Sequence, residues 1–131
     1  MKRIILLAFL CTTTLVMAQR INHVQEAIAN YDYEAALTLI AKEKPTIPLL
    51  LQKGKAQRGL GMNTEALSTY QEIITNDTAN TRAYIEAAEC CRSLAKYQQA
   101  LKYYEQALDL NPENKYVRIQ YIGLLLSLQK F

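Results

Sequence analysis

The 131-residue chain repeats its own pattern at a spacing of 34 positions. Laid over 47–80 (IPLLLQKGKAQRGLGMNTEALSTYQEIITNDTAN), the segment 81–114 (TRAYIEAAECCRSLAKYQQALKYYEQALDLNPEN) sets Tyr84 on Leu50, Ala88 on Gly54 and Leu94 on Leu60. Further along, Ala100 and Leu101 fall on Ala66 and Leu67, Tyr104 on Tyr70, and Leu108 on Ile74. The phrase SLAKY at 93–97 returns as SLQKF at 127–131. A fixed period of this length constrains the fold more than any composition does. One such unit cannot bury its own apolar surface, so units must stack on one another.

Within each unit the apolar residues follow helical spacing. Tyr84, Ala87, Ala88 and Cys91 stand at i, i+3, i+4 and i+7 and make one stripe. Ala100, Tyr104, Ala107 and Leu108 make the next, as do Ala66, Tyr70, Ile73 and Ile74. Small residues at Gly54, Ala66, Ala88 and Ala100 let two helix backbones approach closely, with tyrosines filling the space alongside. Gly59-Leu60-Gly61 and Asn111-Pro112 punctuate the pattern where helices must stop. No stretch sustains period-two alternation. The pattern predicts seven helices near 20–30, 33–43, 47–60, 63–75, 81–94, 97–110 and 115–130.

The series Tyr84, Ala87, Ala88, Cys91, Ala100, Tyr104, Ala107, Pro112 resembles the small–large helix-pair pattern of the tetratricopeptide repeat. Block 81–114 matches best. Block 47–80 keeps Gly54, Ala66 and Tyr70 but has Ile73 where the family prefers alanine and Thr78 where it prefers proline. Upstream, NYDYEAALTLIAKEKP is similar to the second helix of a degenerate repeat, with Ala36 standing 30 rather than 34 residues before Ala66 and Pro45 marking the end. The resemblance covers essentially the whole chain beyond residue 18. It implies an all-α fold, an α-solenoid of antiparallel helix pairs with about three and a half repeats.

The first residues, MKRIILLAFLCTTTLVMAQ, have a different character. Lys2 and Arg3 precede an apolar run from Ile4 to Val16, and Val16-Met17-Ala18 provides a small residue for a cut. That is the layout of a secretory signal peptide, cleaved after Ala18, leaving 19–131 as the helical-repeat domain. A retained anchor is the rival, but the run is shorter than the roughly 20 residues a span requires and is diluted by Thr12, Thr13 and Thr14. A lipoprotein signal at Cys11 fails at Leu10, where that family uses a small residue. The expected location is outside the cytoplasm, in the periplasm or cell envelope of a bacterium, without membrane insertion after cleavage.

The chain carries 15 basic and 12 acidic residues, a net charge of +3. Lys2 and Arg3 leave with the signal, so the remaining domain is close to neutral and offers no footing for nucleic acid. Cys90 and Cys91 are adjacent, and neighbours on a helix diverge by about 100°, which suits two core fillers better than a bridge. His23 is the single histidine and has no convergent ligands around it in sequence. Glu34, Glu65 and Glu105 read as solvated-face charges. No catalytic residue, cofactor site or metal site is expected.

What remains is surface. In a solenoid of helix pairs the first helix of each pair lines the concave side. Its exposed flank on the fifth helix is Arg82, Ile85, Glu89 and Arg92. The 34-residue shift brings Leu51, Lys55 and Arg58 into line from the third helix, and Tyr116 and Ile119 from the seventh. This groove, with a basic cluster, an apolar row and one aromatic, is expected to take a protein or peptide segment of some acidic character. A carboxylate-tail clamp would need lysine and asparagine where this chain has Ile21 and Gln25. The function expected is therefore a non-catalytic interaction scaffold in the bacterial envelope. The alternative is the N-terminal sensory or ligand-binding module of a larger membrane signalling protein.

The last predicted helix, KYVRIQYIGLLLSLQK, is apolar on nearly every side. Terminal repeats ordinarily present a polar outer face. The domain is therefore expected to be incomplete at its C-terminus or to self-associate through residues 115–131, with Phe131 standing where Tyr97 opens the next helix.

Overall fold

A computed structural model describes residues 1–129. It contains seven helices: α1 (Lys2–Ala29), α2 (Tyr33–Ile40), α3 (Ile47–Gly59), α4 (Asn63–Asn76), α5 (Thr81–Ser93), α6 (Tyr97–Leu110) and α7 (Lys115–Gln129). There is no strand among the described residues. Consecutive helices pack against each other along the whole series, giving three helix pairs and a seventh helix. The predicted extension of the seventh helix to residue 130, and the placement of Phe131, lie outside the described residues.

The ends of the helices repeat as faithfully as their middles. After α3, the N–H groups of Leu60, Gly61 and Met62 donate to the carbonyls of Ala56, Arg58 and Gln57. After α5, 34 residues on, Leu94, Ala95 and Lys96 donate to Cys90, Arg92 and Cys91 in the same way. Asn30, Tyr31 and Asp32 close α1 with the same three bonds. Each turn needs one residue at positive φ, supplied by Tyr31 (60°), Gly61 (75°) and Ala95 (59°), so only the middle one uses the residue best suited to it. Asn80 and Asn114 begin α5 and α7 identically, their side chains accepting the N–H of Ala83 and Val117 at 3.1 Å.

Two helices differ from the sequence pattern. The first starts at Lys2 rather than near residue 20, because no glycine or proline occurs before Pro45. The hydroxyls of Thr12, Thr13 and Thr14 bond back to carbonyls of the preceding turn and do not interrupt it. The second helix ends at Ile40 rather than 43. Pro45 disfavours helical geometry at Lys44, and the chain tightens through Lys42 N–H to Leu39 and Glu43 N–H to Ile40. This shortening absorbs the four residues by which the first pair falls short of the 34-residue period.

The main core runs from α3 to α7 and contains every stripe residue at full or partial burial: Tyr84, Ala87, Ala88 and Cys91 from α5, Ala100, Tyr104 and Ala107 from α6, and Ala66, Tyr70 and Ile73 from α4. Val24, Ile40 and Leu49 form a smaller cluster that attaches α1 and α2. Gly54 sits where a Cβ would stand 2.4 Å from the Tyr70 ring, so the close approach of α3 and α4 depends on its missing side chain. Ala88 and Tyr104 occupy the same two places in the next pair.

Candidate functional site

Helices α3, α5 and α7 stand side by side on one face, tied directly by side chains. Arg58 on α3 forms an ion pair with Glu86 on α5. Arg92 on α5 donates to Gln120 Oε1 on α7 at 2.6 Å. Both links step forward 28 residues, and the 34-residue shift maps one onto the other. Glu89 completes the second link: its Oε1 accepts the Tyr104 hydroxyl at 2.6 Å and the Tyr116 hydroxyl at 3.2 Å, and Arg92 lies 3.7 Å away.

The nine residues expected on this face are distributed unevenly. Glu89, Arg92 and Tyr116 come together in one network. Leu51 and Ile85 are half-buried and pack onto the core. Lys55 and Arg82 are exposed with no ion pair among the described residues. Arg58 is drawn to Glu86, a residue one position beyond the expected flank. Ile119 is 67% exposed. Glu86, Gln120 and Tyr104 were missed from sequence, although the 34-residue shift relates Arg58 and Glu86 to Arg92 and Gln120 and could have revealed the pair.

The electrostatics follow from these contacts. Burial alone would lower the Arg58 pKa, but Glu86 outweighs it and holds the guanidinium above its ordinary value. Arg92 is raised chiefly by its bond to the Tyr104 hydroxyl. Burial, then the bond to Glu89, pushes the Tyr104 phenol well up. Tyr116 moves in the same direction for the same two reasons. Beyond Arg92 the face opens into a cleft of about 580 Å³ between the end of α5, the start of α6 and α7, walled by Glu89, Arg92, Tyr97, Leu124 and Leu128.

Comparison with known proteins agrees with this architecture. Residues 81–114 match the family model described as tetratricopeptide repeat. A human protein, tetratricopeptide repeat protein 6, is 30% identical over 89 residues, which is 68% of this chain and 16% of that protein. The chain thus spans about one sixth of that relative's length. Among solved structures, the first TPR of Spaghetti (RPAP3) bound to HSP90 peptide SRMEEVD superposes with a TM-score of 0.80 at 20% identity. That match covers 86% of this chain and 92% of that one. The Yersinia enterocolitica type III secretion chaperone SycD, in complex with a peptide of the translocator YopD, gives 0.79 at 16% identity, covering 86% and 94%. This chain is a tetratricopeptide-repeat protein.

Other residues of the tetratricopeptide-repeat chain that could have carried chemistry have structural surroundings. Cys90 and Cys91 are buried and unbridged, and burial pushes the Cys90 thiol up to about 11. His23 is exposed, 3.9 Å from Glu26. Glu105, expected to be merely solvated, accepts the Tyr121 hydroxyl at 2.8 Å. Ile21 packs against the Val24 cluster while Gln25 is exposed. No group of three or more His, Cys, Asp or Glu side chains suited to a metal occurs among the described residues.

Proposed function

We propose that this chain is a non-catalytic interaction scaffold of the bacterial cell envelope that holds a protein or peptide segment on the α3–α5–α7 face. The observation that carries the reading is the side-chain bridging of three alternate helices, α3, α5 and α7, into one continuous face. Around it are exposed or half-exposed residues at Leu51, Lys55, Arg82, Ile85, Tyr116 and Ile119. Two solved relatives of this fold are bound to peptides, which supports a peptide or protein segment as the partner class here. A photo-crosslinking side chain at Ile85 should capture a partner in the envelope fraction, while one at Lys102 on α6 should not. Adducts from Lys102 alone would refute the face.

Export by a cleaved signal is part of the same reading. Lys2–Ala29 is the one described helix long and apolar enough to cross a membrane, and none of its 18-residue window of mean hydropathy 1.9 is buried. Its first ion pair to the body is Arg20–Glu43, and its first residue packed on a core cluster is Ile21. The part that adds no core residue and no ion pair thus ends beside the expected cut after Ala18, which supports removal without damage to the repeats.

A second observation supports self-association through α7. Ile122, 48% exposed, with half-buried Tyr121 and Leu125, occupies the register that Ala88, Ala87 and Cys91 present to α6 in the preceding pair. An apolar face of that kind is matched by another protein surface. Light scattering on the exported protein is expected to report more than one chain per particle. A monomer that binds no hydrophobic dye would refute it.

A further inference from the structure

The two arginines that give the α3–α5–α7 face its basic appearance are already engaged within the molecule. Arg58 is paired with Glu86, and Arg92 lies among Glu89, Gln120 and Tyr104. Each is held by a neighbour on the next helix of the same face, so much of its charge is already balanced within the molecule before an incoming carboxylate arrives. Among the described residues, the unpaired cations left on this face are Lys55 on α3 and Arg82 in the first turn of α5. The α7 end is apolar: Tyr116, Ile119 and Leu126 are 53%, 67% and 54% exposed. Beside them is the 580 Å³ cleft, lined by Leu128 and the buried Leu124 together with Ser93, Ser127, Glu89 and Arg92.

We infer that the segment held on this face is recognised over α5 and α7 by apolar side chains, with one seated in the cleft beside Arg92, and carries no acidic cluster there. This rests on the groove reading above and sharpens its partner. Complementarity decides the chemistry. A neutralised wall that ends in exposed isoleucine and leucine gains from apolar burial, at about 25 cal/mol per Å². An acidic stretch would face Glu86 and Glu89 as well as the arginines they hold, and like charges brought together oppose association. The sequence-level expectation of a partially acidic partner counted Arg58 and Arg92 as free charges.

A random 16-residue peptide library displayed on phage, selected against the protein purified from cells expressing the full sequence, tests the inference. The enriched peptides should carry leucine, isoleucine, phenylalanine or methionine at repeated positions and a mean net charge close to zero. Ile119→Asp, at an exposed position where folding is not at risk, should weaken a selected peptide about tenfold, roughly 1.4 kcal/mol. Lys55→Gln combined with Arg82→Gln, or a salt increase from about 50 to about 300 mM, should change affinity less than about twofold. Acid-rich peptides whose binding collapses with salt and with the double variant would overturn the inference while leaving the groove in place. Peptides indifferent to both variants, or no enrichment at all, would overturn the groove reading together with it. So would peptides excluded by a dimer seated on the same face.

Discussion

Gly54→Ala and Gly123→Ala are the same chemical change in two helix interiors, and the structure gives them opposite signs. Removing a helix-interior glycine is worth about 1 kcal/mol through backbone propensity. At Gly123 a new Cβ meets no atom within 4 Å, so that gain stands and the variant should be about 1 kcal/mol more stable. At Gly54 the Cβ would lie 2.4 Å from Tyr70 Cζ, 2.7 Å from Cε1 and 2.8 Å from the hydroxyl oxygen. Ordinary contact begins near 3.4 Å, so the ring must retreat by about 1 Å. Tyr70 is only 1% exposed and lies in the core shared by α3, α4 and α5, leaving no empty space for that retreat. Overpacking of this kind costs about 2 kcal/mol, which exceeds the propensity gain and leaves Gly54→Ala about 1 kcal/mol less stable. Urea titrations followed by circular dichroism would compare the two midpoints with wild type. The separation between the variants should be about 2 kcal/mol. Equal stabilisation of both would show that α3 and α4 are not in the close contact described and that propensity alone governs the site.

Four further outcomes follow from the same packing. Tyr104→Ala should lose about 3 kcal/mol or more by leaving a cavity and freeing Glu89, whereas Glu105→Ala, an exposed residue bonded only to Tyr121, should lose less than about 0.5 kcal/mol in the same titration. Ala95→Gly should raise stability by about 1 kcal/mol, because Ala95 holds φ at 59° in the turn where Gly61 stands one repeat earlier; an unchanged midpoint would contradict the turn geometry. The Cys90 thiol, raised by burial to about 11, stays protonated when folded while the unfolded thiol ionises near pH 9. Its contribution is therefore complete below about pH 9 and lost as pH climbs toward 11, on the order of 1 kcal/mol, and Cys90→Ala should flatten that part of the pH profile. Mass spectrometry of the exported protein should find Gln19 at its N-terminus, and retained Met1 would move the N-terminal helix to the role of an anchor.

Local physics made much of this protein legible before any coordinates. The 34-residue period set the number of helices. The 3.6-residue spacing of Tyr84, Ala87, Ala88 and Cys91 identified a buried face, because burial on a helix is a matter of which residues share a side. Gly59-Leu60-Gly61 and Asn111-Pro112 marked helix ends, which are closed by bonds that span only a few residues. The helix boundaries that shifted, at the start of α1 and the end of α2, shifted for local reasons too: a long run without breakers and a proline. The surface was a different matter. Sequence position assigned Arg58 and Arg92 to one face, but how their charge is presented to a partner depends on residues 28 positions away on the next helix of that face. Whether Arg58 reaches Glu86, and whether Gly54 admits Tyr70, is decided by the distance and rotation between packed helices. Periodicity tells which way a side chain points along its own helix. Only tertiary packing determines what it meets there, since that contact depends on how two rigid cylinders are set against each other.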